Sequence, residues 1–246
     1  MPMVAVDAYE LRARFAPALV IASPWVLVVV AVVQAFASTL LTTSAAALIF
    51  LALLYAFSFV VRGLGRRIEN GLWASWGGPP SATLLGDADS TFSAETKSRL
   101  RSSLATTLGI NGATEASWTN DLHQVQDAFR LVRQHIRQHD HNGLWSAHNA
   151  EYGFLRNLLG SWWLLLLNSL LSAAVTGLFW HTRGGKTLLI LTTLSLGLGL
   201  AAIVGRIFVL PGATRIAAIR YAESAWTSFL TNSQRADQTT QERGGA

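Results

Sequence analysis

Leu158-Leu159-Gly160-Ser161-Trp162-Trp163-Leu164-Leu165-Leu166-Leu167-Asn168-Ser169-Leu170-Leu171-Ser172-Ala173-Ala174-Val175-Thr176-Gly177-Leu178-Phe179-Trp180 contains no ionisable side chain. At 1.5 Å per residue, a helix of this length crosses the ~30 Å hydrocarbon core of a bilayer. The run is continuously apolar rather than alternating, and far longer than a barrel strand, so it reads as helix. Trp162, Trp163 and Trp180 stand near its two ends, where indole rings favour the membrane interface.

Three further blocks share this character, at 17–36, 44–61 and 187–210. The first holds Val28-Val29-Val30-Ala31-Val32-Val33. Arg206, about one turn from the end of the last block, is the only formal charge in any of them. Charged residues make up 13% of the 246, against roughly 25% in an average soluble protein. The expectation is an all-α integral membrane protein with four transmembrane helices. Arg12 and Arg14 followed by an apolar run and Ala35-Phe36-Ala37 also fit a cleaved signal peptide. The span reading is preferred, because the run is long enough to cross and residues 38–43 make a poor mature N-terminus.

Orientation follows from the basic residues. Arg12, Arg14, Arg62, Arg66, Arg67, Arg156, Arg215 and Arg220 flank one side, and Arg183 and Lys186 the other. Both termini and the segment between the second and third spans are therefore expected in the cytoplasm. The boundaries are a transmembrane hairpin over 1–62, a helical cytoplasmic segment over 63–157, a second hairpin over 158–210, an amphipathic helix over 211–232 and a disordered tail over 233–246. Pro211 and Gly212 are expected to break the chain after the fourth span.

The cytoplasmic segment carries as many acidic as basic side chains. Gly77-Gly78-Pro79-Pro80 ends a helix that continues from the second span. Ser93 to Leu108 reads as a helix with Ser93 as its cap. Leu122, Val125, Phe129, Val132 and Ile136 give a helical period over 121–138. A last helix begins near Trp145. In the 213–230 stretch, Ile216, Ile219, Trp226, Phe229 and Leu230 form an apolar side that suits either the membrane surface or the soluble segment.

Several clusters carry candidate chemistry. His135 and His139 lie one helical turn apart, where two imidazoles can share a metal ion, with His141, His148 or Glu151 near in sequence. The glutamate of a metalloprotease helix is missing, and a polar helix shoulder is the plainer reading. Arg130, Arg133 and Arg137 line one side of that helix, suited to a phosphate-bearing ligand or to a solvated face balanced by Asp127 and Asp140. Trp73 and Trp76 precede the rigid break and can clasp a partner or cover a small core. Gly197, Ala201 and Gly205 recur every four residues, which lets another helix approach, within the chain or from a second copy.

The sequence lacks cysteine, a serine elbow and a phosphate loop, and its spans hold no Asp, Glu, Lys or His. These absences disfavour thiol chemistry, serine hydrolysis and proton-coupled pumping. The expected function is non-enzymatic: assembly in the bilayer as a homo-oligomer, with cytoplasmic helices receiving a protein or phosphate-bearing ligand, and membrane perturbation as one outcome. A metal-dependent enzyme using His135 and His139 and a passive channel or transporter subunit are the alternatives. Neither a cofactor nor a nucleic-acid partner is expected.

Ala13-Arg14-Phe15-Ala16-Pro17-Ala18-Leu19, Trp76-Gly77-Gly78-Pro79-Pro80-Ser81-Ala82-Thr83 and Asn149-Ala150-Glu151-Tyr152-Gly153-Phe154-Leu155-Arg156-Asn157, taken together, resemble a family of uncharacterised bacterial multi-pass membrane proteins. The resemblance implies a bacterial inner membrane and assigns no reaction or ligand.

Overall fold

The computed structural model describes residues 11–36, 40–110, 112–139 and 143–244, with side chains described over 11–34, 51–110, 112–115, 118–138 and 143–235. The fold is all-helical, at 88% helix, with no strand among the described residues. A π-helical turn (Leu11–Phe15) leads into α1 (Ala16–Phe36). There follow α2 (Leu40–Ser75), the single turn α3 (Pro80–Thr83), α4 (Ala94–Leu108) and a 3-10 turn (Ala116–Asn120). The chain ends with α5 (Leu122–His139), α6 (Leu144–Arg183), α7 (Lys186–Val204), a π turn (Gly205–Val209) and α8 (Leu210–Gly244).

Three helical stretches are long and apolar enough to cross a membrane: Leu11–Gln34, Leu144–Arg183 and Lys186–Arg235. The expected second span lies within α2, but the side chains of 40–50 fall outside the described residues. Where α2 is described it exposes Leu51, Leu53, Tyr55, Phe59 and Val60. Exposed apolar surface on this scale suits lipid, not water.

The break expected at Pro211 is instead a π turn inside an unbroken helical path. Proline removes one N–H and crowds the carbonyl of the preceding turn. Here the Leu210 N–H bonds the Gly205 carbonyl five residues back, which widens the turn just ahead of the ring. The polar end is also helical, to Gly244, where the sequence suggests a disordered tail. Alanine, glutamine, glutamate and arginine in that stretch cost little in a helix. Side chains beyond Arg235 are outside the described residues.

The chain forms two compact units. The first comprises residues up to Glu69 together with Ala150–Arg215. Its core gathers Ala18, Ile21, Ala22, Leu54, Val61, Leu165 and Ala202. Pro24 lies inside α1 and leaves the Val20 carbonyl without its usual donor. Ser23 Oγ supplies one at 2.7 Å. Around that kink α6 contributes polar side chains: Asn168 Nδ2 donates to the Ile21 carbonyl at 2.9 Å, and Ser172 Oγ to the Pro24 carbonyl at 2.8 Å.

Ser172 also shares a 2.8 Å hydrogen bond with Ser195 of α7, and Thr192 Oγ1 donates to Thr176 Oγ1 at 3.1 Å. Each step back along α6 is matched by a step forward along α7, the register of an antiparallel hairpin. Its turn is Gly184-Gly185, with φ of 69° and 101°, conformations that a side chain would strain. Bonds of this kind between membrane helices are worth about 0.6 kcal/mol each, so packing must supply the rest.

The second unit comprises Asn70–Asn149 and the chain from Ile216 onward. The α2 helix ends in a Schellman motif: Gly78 N–H bonds the Trp73 carbonyl at 2.8 Å and Gly77 N–H the Ala74 carbonyl at 3.3 Å. Gly77 is left-handed there, at φ 85°. Ser93 Oγ accepts from the Thr96 N–H at 3.2 Å and caps α4 as expected. Gly109, at φ 64°, closes that helix. Asp121 Oδ1 caps α5 by accepting from the His123 and Gln124 N–H groups. Val125, Phe129, Val132 and Ile136 are buried on the face the periodicity predicts, whereas Leu122 is 37% exposed.

The 213–230 stretch packs on this unit through Tyr221, Trp226 and Phe229. Phe129 meets Tyr221 edge-on at 5.9 Å and Trp226 at 5.2 Å, and Trp226 Nε1 donates to the Ser81 carbonyl at 3.0 Å. Of its expected apolar side, Ile216 is 54% exposed.

Candidate functional site

The α7 helix has two small-residue faces, and among the described residues one of them is packed inside the chain. Leu188, Leu191, Ser195, Gly199 and Ala202 are buried. A Cβ at Gly199 would lie 3.4 Å from Ser169 Cβ and 3.5 Å from Leu166 Cδ1, so this glycine lets α6 approach closely. Gly197, Ala201 and Gly205 are on the other side. Gly197 and Ala201 are exposed and Gly205 is half-buried. A Cβ at Gly197 or Gly205 would meet nothing within 4 Å.

The intrachain seam therefore runs through Gly199, and among the described residues nothing packs closely against Gly197 or Gly205. Leu194, Leu200 and Phe208 rise around them at 51%, 62% and 77% exposure. Small residues among large apolar side chains make a surface on which the backbone is accessible. It can accept a second helix at close range. Arg206, in the π turn, is exposed.

The remaining candidates are dispersed. Arg130 is paired with Asp127 at 2.8 Å, and Arg133 lies over the Phe129 ring at 5.7 Å. Arg137 is exposed. His135 sits edge-on to Phe229 at 5.7 Å, so the core fixes one side of its ring. The His139 side chain and all of His141 lie outside the described residues. Among the described residues no group of three His, Cys, Asp or Glu is gathered for a metal ion. Trp73 and Trp76 are half-buried beside the Schellman turn.

Sequence reasoning missed a polar node in the first unit. Arg156 Nη1 bonds Glu69 Oε1 at 2.7 Å, and Tyr152 Oη donates to the same oxygen at 2.9 Å. The Arg156 and Glu69 side chains are 12% and 19% exposed. Asn157, 1% exposed, donates from Nδ2 to the Ala13 carbonyl at 2.8 Å. Beside it α2 and α6 cross at backbone contact: a Cβ on Gly160 would lie 2.7 Å from Gly65 Cα. Two of the three sequence patches quoted above thus meet here. The third supplies the Ser81 carbonyl that anchors Trp226. The pairing of Gly65 with Asn157 and Gly160 is nonlocal, so no local motif announces it. The Asn168, Ser172, Thr176 spacing of four was the available signal for the hydroxyl ladder.

In comparison with known proteins, the chain matches no protein-family model, no curated protein and no solved structure.

Proposed function

We propose that this chain is a non-enzymatic membrane protein that assembles with copies of itself through the outward face of α7. The observation that carries the reading is the small-residue face at Gly197, Ala201 and Gly205, with Gly197 and Ala201 exposed and Gly205 half-buried, while the inward glycine, Gly199, packs against Ser169 and Leu166. In lipid there is no hydrophobic force between helices, so close backbone approach is the principal means of association. The reading includes a fourth span over 44–61, cytoplasmic termini set by the arginine asymmetry, and a bacterial inner membrane implied by the sequence resemblance. The second unit then presents cytoplasmic helices, with Arg133 and Arg137 exposed on α5 for a protein or phosphate-bearing ligand.

The test is the mass of the protein in nanodiscs, by native mass spectrometry, for the wild type and Ala201→Leu. The reading expects a defined oligomer that dissociates in the variant while the protomer keeps its thermal stability. Monomers throughout the concentration range, or an oligomer indifferent to leucine at 201, would refute it.

A further inference from the structure

In the first unit, one level of the helical bundle is marked by several independent contacts. Asn157 reaches the Ala13 carbonyl, and Gly160 crosses Gly65. Val61 and Ala202 belong to the same core cluster. Helices leaving the cluster carry arginine within about one turn: Arg12 beside Ala13, Arg62 beside Val61, Arg66 and Arg67 beside Gly65, and Arg206 after Ala202. Arg12, Arg66, Arg67 and Arg206 are exposed and Arg62 is half-buried.

Their charge is not answered from within. The acidic side chains described in this unit are Glu69 and Glu151. Glu69 is turned inward onto Arg156 and Tyr152, and Glu151 is exposed with a contact of its own. Among the described residues, none of the five arginines makes an ion pair. Next to them, Tyr55, Phe59 and Val60 are 54%, 50% and 52% exposed, with the two rings edge-on at 5.2 Å. Gly63 opens a notch between this apolar strip and Arg66–Arg67, since a Cβ there would meet nothing within 4 Å.

We propose that Arg12, Arg62, Arg66, Arg67 and Arg206 form a binding surface for anionic phospholipid headgroups, with acyl chains lying along Tyr55, Phe59 and Val60. All five positions hold arginine, whose planar fork engages a phosphate through two N–H groups. An apolar strip directly under a cationic rim complements a phospholipid, not a soluble anion. Basic pockets between membrane helices bind acidic headgroups by this chemistry.

The experiment reconstitutes the full chain in nanodiscs of equal phosphatidylglycerol and phosphatidylcholine, then counts retained lipids by native mass spectrometry. Each arginine near an acidic headgroup contributes about fivefold in affinity. The Arg66→Gln/Arg67→Gln protein should lose about 25-fold in phosphatidylglycerol retention with phosphatidylcholine unchanged. Arg206→Gln, on a different helix, should lose about fivefold. Because the chain has no cysteine, a Ser98→Cys label reports the orientation of every variant. Should the double variant insert wrongly, Arg206→Gln decides alone. An unchanged lipid ratio in correctly oriented variants overturns the proposal. So does equal loss of both lipids, or full displacement of phosphatidylglycerol by millimolar inorganic phosphate.

Discussion

Replacing Gly160 by alanine adds one methyl group where α2 and α6 cross at backbone contact. The new Cβ would stand 2.7 Å from Gly65 Cα, 2.7 Å from the Leu64 carbonyl oxygen and 2.8 Å from Gly65 N. All three are backbone atoms, so no rotamer change relieves the contact. Ordinary carbon contacts lie near 3.5–4.0 Å, so α2 and α6 must separate by about 1 Å. A gap of that size forfeits a quarter to a half of the dispersion energy across the crossing. It also strains the neighbouring Asn157 to Ala13 bond, now 2.8 Å, whose donor is buried. Overpacking alone costs about 1–3 kcal/mol, and an orphaned buried amide about 1–3 kcal/mol more.

Alanine returns up to about 1 kcal/mol through helix propensity. Taking the middle of each range, a net loss of about 3 kcal/mol follows. The internal control is Gly63→Ala, on the same helix as Gly65, where a Cβ meets nothing within 4 Å. There only the propensity gain remains, and stability should hold or rise. At about 2–4 °C per kcal/mol for a chain of this size, the two variants should melt roughly 6–12 °C apart in one detergent. Gly160→Ala melting with or above Gly63→Ala would refute the close-crossing argument.

Trp226→Phe keeps an aromatic ring but removes half of the buried indole together with the donor to Ser81, and should destabilise the second unit by about 2 kcal/mol in thermal unfolding. Trp226→Ala should cost about 3–5 kcal/mol, since the side chain is fully buried. Lys97, 6% exposed, donates from Nζ to the carbonyls of Gly86 at 2.7 Å and Asp89 at 2.5 Å. Lys97→Met should therefore loosen the 84–92 loop, read as faster proteolysis there, at a cost of about 2 kcal/mol. Glu69→Gln keeps the shape of the polar node but leaves Arg156 without its counter-charge, and should lower stability by about 2 kcal/mol in the same melt.

Elements governed by local chemistry were legible in the sequence. Ser93 caps α4, the apolar period of α5 is buried, and the double glycine before Pro79 ends α2. Each depends on residues within a turn or two of one another. Two expectations differ from the structure. Pro211 reads as a breaker, yet a π turn accommodates it; the polar end reads as disordered, yet helix formers dominate it. The small-residue stripe at Gly197, Ala201 and Gly205 was visible, but which glycines of α7 face inward was not. That depends on Ser169 and Leu166 of α6, as Gly199 shows. The node at Glu69, Arg156 and Asn157 depends on partners far apart in the chain, and no spacing rule reaches that distance.

The hydroxyl ladder between α6 and α7 has a consequence for how the hairpin forms. Two apolar rods in oil slide past one another with little penalty, because every alignment buries similar surface. Ser172 with Ser195 and Thr176 with Thr192 make one alignment different from its neighbours. Slipping α7 by a turn would break both contacts together. At about 0.6 kcal/mol apiece the bonds are too weak to hold the helices, but together they bias the choice among alignments severalfold. The ladder acts as a vernier, read out during insertion, that fixes which rung of one helix stops against which rung of the other.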